Sequence, residues 1–333
     1  MRRAYLSLTY QGKDITKDIG PDLISFSFTD KDGGEADDVQ IKLSDRDRNW
    51  QGPWLPTHGD KMFPIIHCEN WFMDGDAYAL PCGGFQVDEL ELESSEIDTM
   101  TIKGIPAAVK SSITGQTKTK AWQGTTLQQV AGDIAARAGL DLIYKAEAVT
   151  LRRIDQRQET DLAFLTRIAE DFGCHVKAHD EKIVIFSGKL ADAQSAIKLT
   201  RADGASFRGK KTVADAYQGS RVSYTDPATG KTHKAVFSPD DAPNTGKYQE
   251  INARVDDLGQ AHKVAPSALR LKNKKANTSE WEGMGDPRIR AGMNVEIEGF
   301  GSFDGKYHVK EAEHSLDKSG YKTRLSLEKT LGY

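Results

Sequence analysis

Apolar and polar residues alternate through most of residues 1–110. The period of two is clear in Tyr5 to Tyr10, Leu23-Ile24-Ser25-Phe26-Ser27-Phe28, Val39-Gln40-Ile41-Lys42-Leu43 and Met100-Thr101-Ile102-Lys103. It marks strands with one face on a core. Gln11-Gly12-Lys13-Asp14, Asp32-Gly33-Gly34 and the stretch from Pro53 to Gly59 supply turn residues between them. Short strands at this spacing predict a small barrel or sandwich.

Residues 111–190 change period. Thr125-Thr126 offer N-cap side chains, apolar positions follow at Leu127, Val130, Ala131, Ile134 and Ala138, and Gly139 supplies a left-handed stop. A second helix starts near Thr160, buries Leu162, Leu165, Ile168, Ala169 and Phe172, and stops at Gly173; Lys182-Ile183-Val184-Ile185-Phe186 then reads as a strand. The segment is a small α/β unit. From 191 to 333 alternation returns, in Val222-Ser223-Tyr224, Val295-Glu296-Ile297, Tyr307 to Glu313 and Thr323 to Leu327. A helical excursion at about 254–275 carries Leu258, Ala261, Ala265, Ala268 and Leu269. Pro266 is expected to kink or split it, and the basic run Arg270 to Lys275 to lie at its exposed end.

A weak duplication links the two β regions. Gly83-Gly84-Phe85-Gln86-Val87-Asp88-Glu89-Leu90-Glu91 and Gly305-Lys306-Tyr307-His308-Val309-Lys310-Glu311-Ala312-Glu313 both fit G-x-[FY]-x-V-x-E-x-E. Each follows a glycine-led strand, opening at Gly59 or Gly292, and precedes a hairpin return. The aromatic residue and Val share one face of a strand. The Glu residues fall on the same parity, so a bulge or an overhanging strand end is needed to turn them outwards. Two similar units in one chain would let three chains set six units around an axis; the competing reading is a chance likeness between strand openings.

Composition narrows the class. Hydrophobic residues make up 38% and charged residues 28%, an ordinary globular balance. No run of about 18 apolar residues exists, so no membrane anchoring is expected. Met1-Arg2-Arg3 leads straight into a strand without a signal-peptide core, and assembly in a cytoplasm is the expectation. The net charge of −4 is unevenly spread: residues 1–100 hold 20 Asp and Glu against 9 Lys and Arg, leaving the remainder positive. Oppositely charged halves can complement each other between subunits, or be plain solvated surfaces.

Candidate chemistry is sparse. Cys68, Cys82 and Cys174 are odd in number and lack CxxC spacing, which points to reduced buried thiols. His67-Cys68 with Cys82, and Cys174-His175 with His179, match no zinc pattern, so no metal is expected. Gly299 to Gly305 fails the phosphate-loop spacing and reads as a hairpin; no cofactor is expected. Glu89, Glu91 and Glu93 form an even row, unlike the two differentiated carboxylates of a glycosidase, and read as an acidic lumen wall or a solvated face. Trp50, Trp54 and Leu55 sit on a loop that either anchors a partner or folds over its own unit.

These segments together resemble the phage late control protein D family, the hub proteins of contractile tails, related to the N-terminal part of the type VI secretion spike protein. The likeness rests on Trp122-Gln123-Gly124-Thr125-Thr126-Leu127, on Gln156 with Thr160-Asp161-Leu162-Ala163-Phe164-Leu165-Thr166-Arg167-Ile168-Ala169, on Gly285-Asp286-Pro287-Arg288-Ile289-Arg290-Ala291-Gly292, and on Gly34 to Ile41 with Asp45, Trp50 and Trp54-Leu55-Pro56. It implies a mainly β, α+β chain with two similar β-barrel domains, 1–110 and 191–333, flanking an α/β insertion at 111–190. It further implies a homotrimeric pseudo-sixfold ring between a hexameric tail tube protein and a trimeric central spike protein, touching other baseplate proteins. DNA, tape-measure protein or an effector would pass through its lumen. Glu89, Glu91, Glu311 and Glu313 are the channel-lining candidates, and no catalytic residue is expected. The spike and any wall-cutting activity are expected on a separate polypeptide. A wall-binding module or a peptidoglycan hydrolase is the rival class.

Overall fold

The computed structural model describes the chain except residues 34, 108–110, 180–181, 215, 226–229, 231 and 252–257. Among the described residues, fourteen strands join in one sheet. Lys13–Asp14 and Ala77–Pro81 are short additions to it. The others fall into two sets of six. The first comprises β1 (Arg3–Tyr10), β2 (Leu23–Lys31), β3 (Asp38–Ser44), β4 (Lys61–Glu69), β5 (Phe85–Glu93) and β6 (Thr99–Pro106). The second comprises β7 (Ala196–Thr200), β8 (Gly204–Lys211), β9 (Asn277–Met284), β10 (Asn294–Glu298), β11 (Gly305–Asp317) and β12 (Gly320–Lys329).

Both sets pair in the same order: β1-β4-β5-β6-β3-β2 in the first and β7-β10-β11-β12-β9-β8 in the second. The duplication seen in the motif therefore extends to the topology. Its details repeat as well. A bulge interrupts the β5 ladder between Val87 and Glu89, and another interrupts β11 between Val309 and Glu311. The outer strands carry matching bulges between Leu23 and Ser25 in β2 and between Gly204 and Ser206 in β8. Gly59 and Gly292 both hold φ at 87°, in the left-handed region that favours glycine. Their N–H groups donate to Val87 O at 2.8 Å and Val309 O at 2.9 Å. One difference stands out: β1 runs antiparallel to β4, whereas β7 runs parallel to β10.

The two β-barrel domains that the resemblance implies are not seen as closed barrels: among the described residues neither ladder closes on itself. The outer edge of β2 is instead taken by β11, in antiparallel register from Lys31↔Glu311 to Ser25↔Asp317. The two halves are thus fused edge to edge. Phe26, Phe28, Ile41, Leu43, Met62 and Phe85 fill the first core, while Trp281, Val295, Tyr307, Val309 and Leu325 fill the second. Each fully buried large side chain contributes roughly 1.5–3 kcal/mol.

The insertion folds as its periodicity predicts. α1 (Leu127–Ala138) begins with a capping box in which Thr126 and Gln129 satisfy each other's backbone N–H groups, and it ends at left-handed Gly139. α2 (Asp161–Asp171) is capped by the Thr160 side chain and followed by Gly173 at φ 68°. Both helices share a core with a three-stranded sheet formed by Asp141–Lys145, Lys182–Ser187 and Cys174–His179.

A second excursion, 212–276, leaves after β8 and re-enters at β9, and it is larger than the expected helix. It holds the strands Gly219–Thr225, Thr232–Phe237 and Tyr248–Ile251 as well as α3 (Leu258–Lys275). The expected helical start at 254–257 lies outside the described residues. Of the two outcomes expected at Pro266, a kink or a split, the split does not occur: α3 runs on through it. Burial of Ala261, Val264 and Ala265 against Val222 and Ala235 outweighs the roughly 3 kcal/mol that an interior proline costs. The basic run divides at the helix end: Lys272 and Lys275 are exposed as expected, and the other two cations are not. Arg270 and Lys274 are buried and converge on Asp192, with Lys274 Nζ 2.8 Å from Asp192 Oδ1.

Candidate assembly interface

The face of the sheet opposite the core is mainly polar, with Phe63 and Ile105 exposed on it. After each bulge the strand's parity reverses, because one extra residue is taken up without a partner. Phe85 and Val87 point into the core, and beyond the bulge Leu90 does so instead, turning Glu89, Glu91 and Glu93 outwards. In β11 the same step keeps Tyr307, Val309, Ala312, His314 and Leu316 inside and Glu311 and Glu313 on the outer side. Cross-strand pairing through Lys103, Gln40, Ser27 and Ser315 places all four candidates, Glu89, Glu91, Glu311 and Glu313, on that one face.

These acids do not stand alone. Lys103 Nζ lies 2.9 Å from Glu89 and 3.9 Å from Glu91, and Arg324 lies 3.6 Å from Glu313. The hydrogen bond to Glu89 pushes the Lys103 ammonium above its usual range. Partial burial raises the Glu311 carboxyl, against the pull of Lys31. The face carries a charge mosaic, with acids supported by neighbouring cations.

The Trp50 loop divides. Trp50 is 5% exposed and donates through Nε1 to Asp22 at 2.9 Å, while the Asp45 carboxylate accepts from the Trp50 and Gln51 N–H groups. It is a core residue, buried by the loop that Asp45 folds back. Trp54 and Leu55 remain on the surface, each 48% exposed, with Trp54 edge-on to Trp50 at 5.4 Å. Beneath them a mainly apolar cavity of about 320 Å³ opens between Tyr10, Ile15, Ile19 and Trp54.

The three cysteines are free and buried, and burial pushes the Cys68 thiol up to about 12 and Cys174 up to about 11. No group of three or more His, Cys, Asp or Glu residues placed to hold a metal occurs among the described residues. The side chain of His179 lies outside them. Gly299–Gly305 joins β10 to β11 as a hairpin connection.

Sequence reasoning missed the docking of the insertion. Its strand Cys174–His179 lies against the seam between β2 and β11. Cys174 faces the insertion core, and His175 faces the seam. Lys177 pairs with buried Asp30, whose other oxygen accepts from Ala291 N at 3.1 Å. Asp32 accepts from His308 Nε2 at 2.7 Å and sits 3.8 Å from His175 Nδ1. Burial pushes the Asp32 carboxyl up, but His308, His175 and Lys310 outweigh it and hold it below the usual carboxylate range. Burial pushes His175 down to about 4. The one available signal was His308 inside the repeated motif, where the first copy has Gln86.

The repeated architecture has counterparts among known proteins. A "Probable baseplate hub protein" of Escherichia phage 186 is 30% identical over 287 residues, covering 82% of this chain and 68% of the relative. One of the same description from Escherichia phage P2 is 31% identical over 244 residues, covering 71% of this chain and 57% of the relative. The crystal structure of the tail protein from Neisseria meningitidis MC58 is similar in fold, with a TM-score of 0.71 at 16% identity over 98% of this chain and 96% of that one. The profile of the phage tail baseplate hub (GPD) family matches residues 110–320, and with that match the chain belongs to this family of tail hub proteins.

Proposed function

We propose that the chain is the ring-forming hub that joins a hexameric tail tube to a trimeric spike, and that it acts without catalysis. The observation that carries this reading is the internal duplication: two units of one chain share strand order, bulge positions and motif glycines. Three copies then present six near-equivalent units to the tube and three equivalent sites to the spike. Each half forms a barrel-like unit only with neighbours on its open edges. The polar face bearing Glu89, Glu91, Glu311 and Glu313 lines the passage, where its acids repel DNA in transit. Trp54 and Leu55 contact another baseplate component. The particle is a phage tail or phage-like injector assembled in the host cytoplasm.

Native mass of the chain with its tube and spike proteins tests the reading. Three copies of a 36.7 kDa chain add about 110 kDa to the spike complex; any stoichiometry other than three overturns it. Reversing Glu89, Glu311 and Glu313 to Lys leaves assembly intact and lowers DNA delivery. Unchanged infectivity would remove them from the passage.

A further inference from the structure

Among the described residues, two of the sheet's unpaired edges are counterparts of the two strands joined at the internal seam, and the duplication dictates how they meet. At the internal seam, the part of β11 beyond its bulge pairs with β2. The counterpart of β11 is β5. Its pairing with β4 stops at Gln86, and beyond its bulge one edge, from Asp88 to Glu93, has no strand beside it among the described residues. The counterpart of β2 is β8, which among the described residues pairs only with β9. We infer that β8 of one copy adds in antiparallel register to the free edge of β5 in a second copy, reproducing the internal seam between chains. This rests on the ring reading and specifies its interface.

Register follows from the ladders. Matching hairpin partners set Phe207 of β8 in the place of Phe26, Arg208 in that of Ser27, and Lys210 in that of Thr29. Likewise Glu91, Leu92 and Glu93 stand in the places of Glu313, His314 and Ser315. The internal pairs Glu313↔Thr29 and Ser315↔Ser27 then become Glu91↔Lys210 and Glu93↔Arg208 between chains. Both put opposite charges directly across the ladder, on the same polar face, where such pairs favour one register over its neighbours. The apolar face agrees. His314 is fully buried at the internal seam, whereas its counterpart Leu92 is 46% exposed in the single chain. The proposed register sets Leu92 opposite Gly209, against which the Phe303 ring already packs.

Cysteine pairing tests the register. Glu91→Cys and Lys210→Cys are introduced together, and the whole tail is assembled in cells and oxidised. Cross-strand neighbours are close enough for a short link, and the three native thiols are buried. Linked dimers and trimers are expected, in about tenfold excess over the pair Leu92→Cys with Lys210→Cys, whose side chains leave opposite faces of the strands. A second measurement does not depend on oxidation. Glu91→Lys and Lys210→Glu each weaken subunit association about two- to fivefold, and the double swap restores it. Three-copy tails without the Glu91–Lys210 link, or a double swap no better than either single, overturn this interface and leave the ring reading standing. A hub that is not three copies overturns both.

Discussion

Asp192, in the short helix Gly188–Ala193, holds two cations in the buried seam between that helix and α3. Arg270, Lys274 and Asp192 are 8%, 4% and 7% exposed. Lys274 Nζ donates to one Asp192 oxygen at 2.8 Å, and the Arg270 guanidinium donates to the other. Replacing Asp192 with Ala leaves two buried charges without their shared partner, which costs about 3–5 kcal/mol. Typical total stability is about 5–15 kcal/mol, so the loss is a large share of it. With a urea slope of about 3 kcal/mol per molar, the midpoint falls by about 1–1.7 M. Tryptophan emission and far-UV circular dichroism both follow the transition. The triple change Asp192→Leu, Arg270→Met and Lys274→Met removes the charges together and recovers most of the loss, since buried ion groups replaced by apolar ones of similar volume are often neutral. A midpoint within about 0.3 M of the parent for Asp192→Ala, or a triple variant as weak as the single, refutes the reasoning.

The Trp50 loop gives a contrast: Trp50→Ala opens a core cavity and costs about 3–5 kcal/mol, whereas Trp54→Ala and Leu55→Ala stay within about 0.5 kcal/mol. Equal urea midpoints for Trp50→Ala and Trp54→Ala would contradict that division. Stability also depends on pH through His175 and His314, both pushed down by burial to about 4 from 6.5. Between those values the unfolded chain binds the additional protons. Stability is therefore full above about pH 6.5 and falls as pH drops towards 4, by about 3 kcal/mol per histidine. Urea midpoints measured across that range should decline and then level; a flat profile between about pH 6.5 and pH 4.5 would count against it.

Much of this architecture was legible because it is local. Thr126, Gly139, Thr160 and Gly173 punctuate helices with short-range chemistry, and the structure keeps each in place. The motif G-x-[FY]-x-V-x-E-x-E reported both the duplication and the bulge, since Glu on the core parity demanded a change of face. What sequence could not supply was pairing at a distance. Asp32 meets His308 across 276 positions, and no periodicity links them. Pro266 and the Arg270–Lys275 run were only partly legible for the same reason: local propensity and charge predict a kinked or split helix and a solvated end, and burial against Val222, Ala235 and Asp192 keeps α3 continuous and draws in Arg270 and Lys274. The acids Glu89, Glu91, Glu311 and Glu313 were found as a row, but their shared face emerged only once β2 was seen between β3 and β11.

The edge-to-edge joining of β2 with β11 also bears on synthesis. As the chain leaves the ribosome, β2 has no neighbour on its outer side until β11 has followed it out. During that interval the first half carries unsatisfied backbone donors and acceptors at the flank of a hydrophobic sheet, the kind of surface that recruits stray strands. Late closure of such a long-range pairing is slow, so newly made hub should be most prone to aggregate, and most in need of chaperones, before the β11–β12 hairpin is in hand.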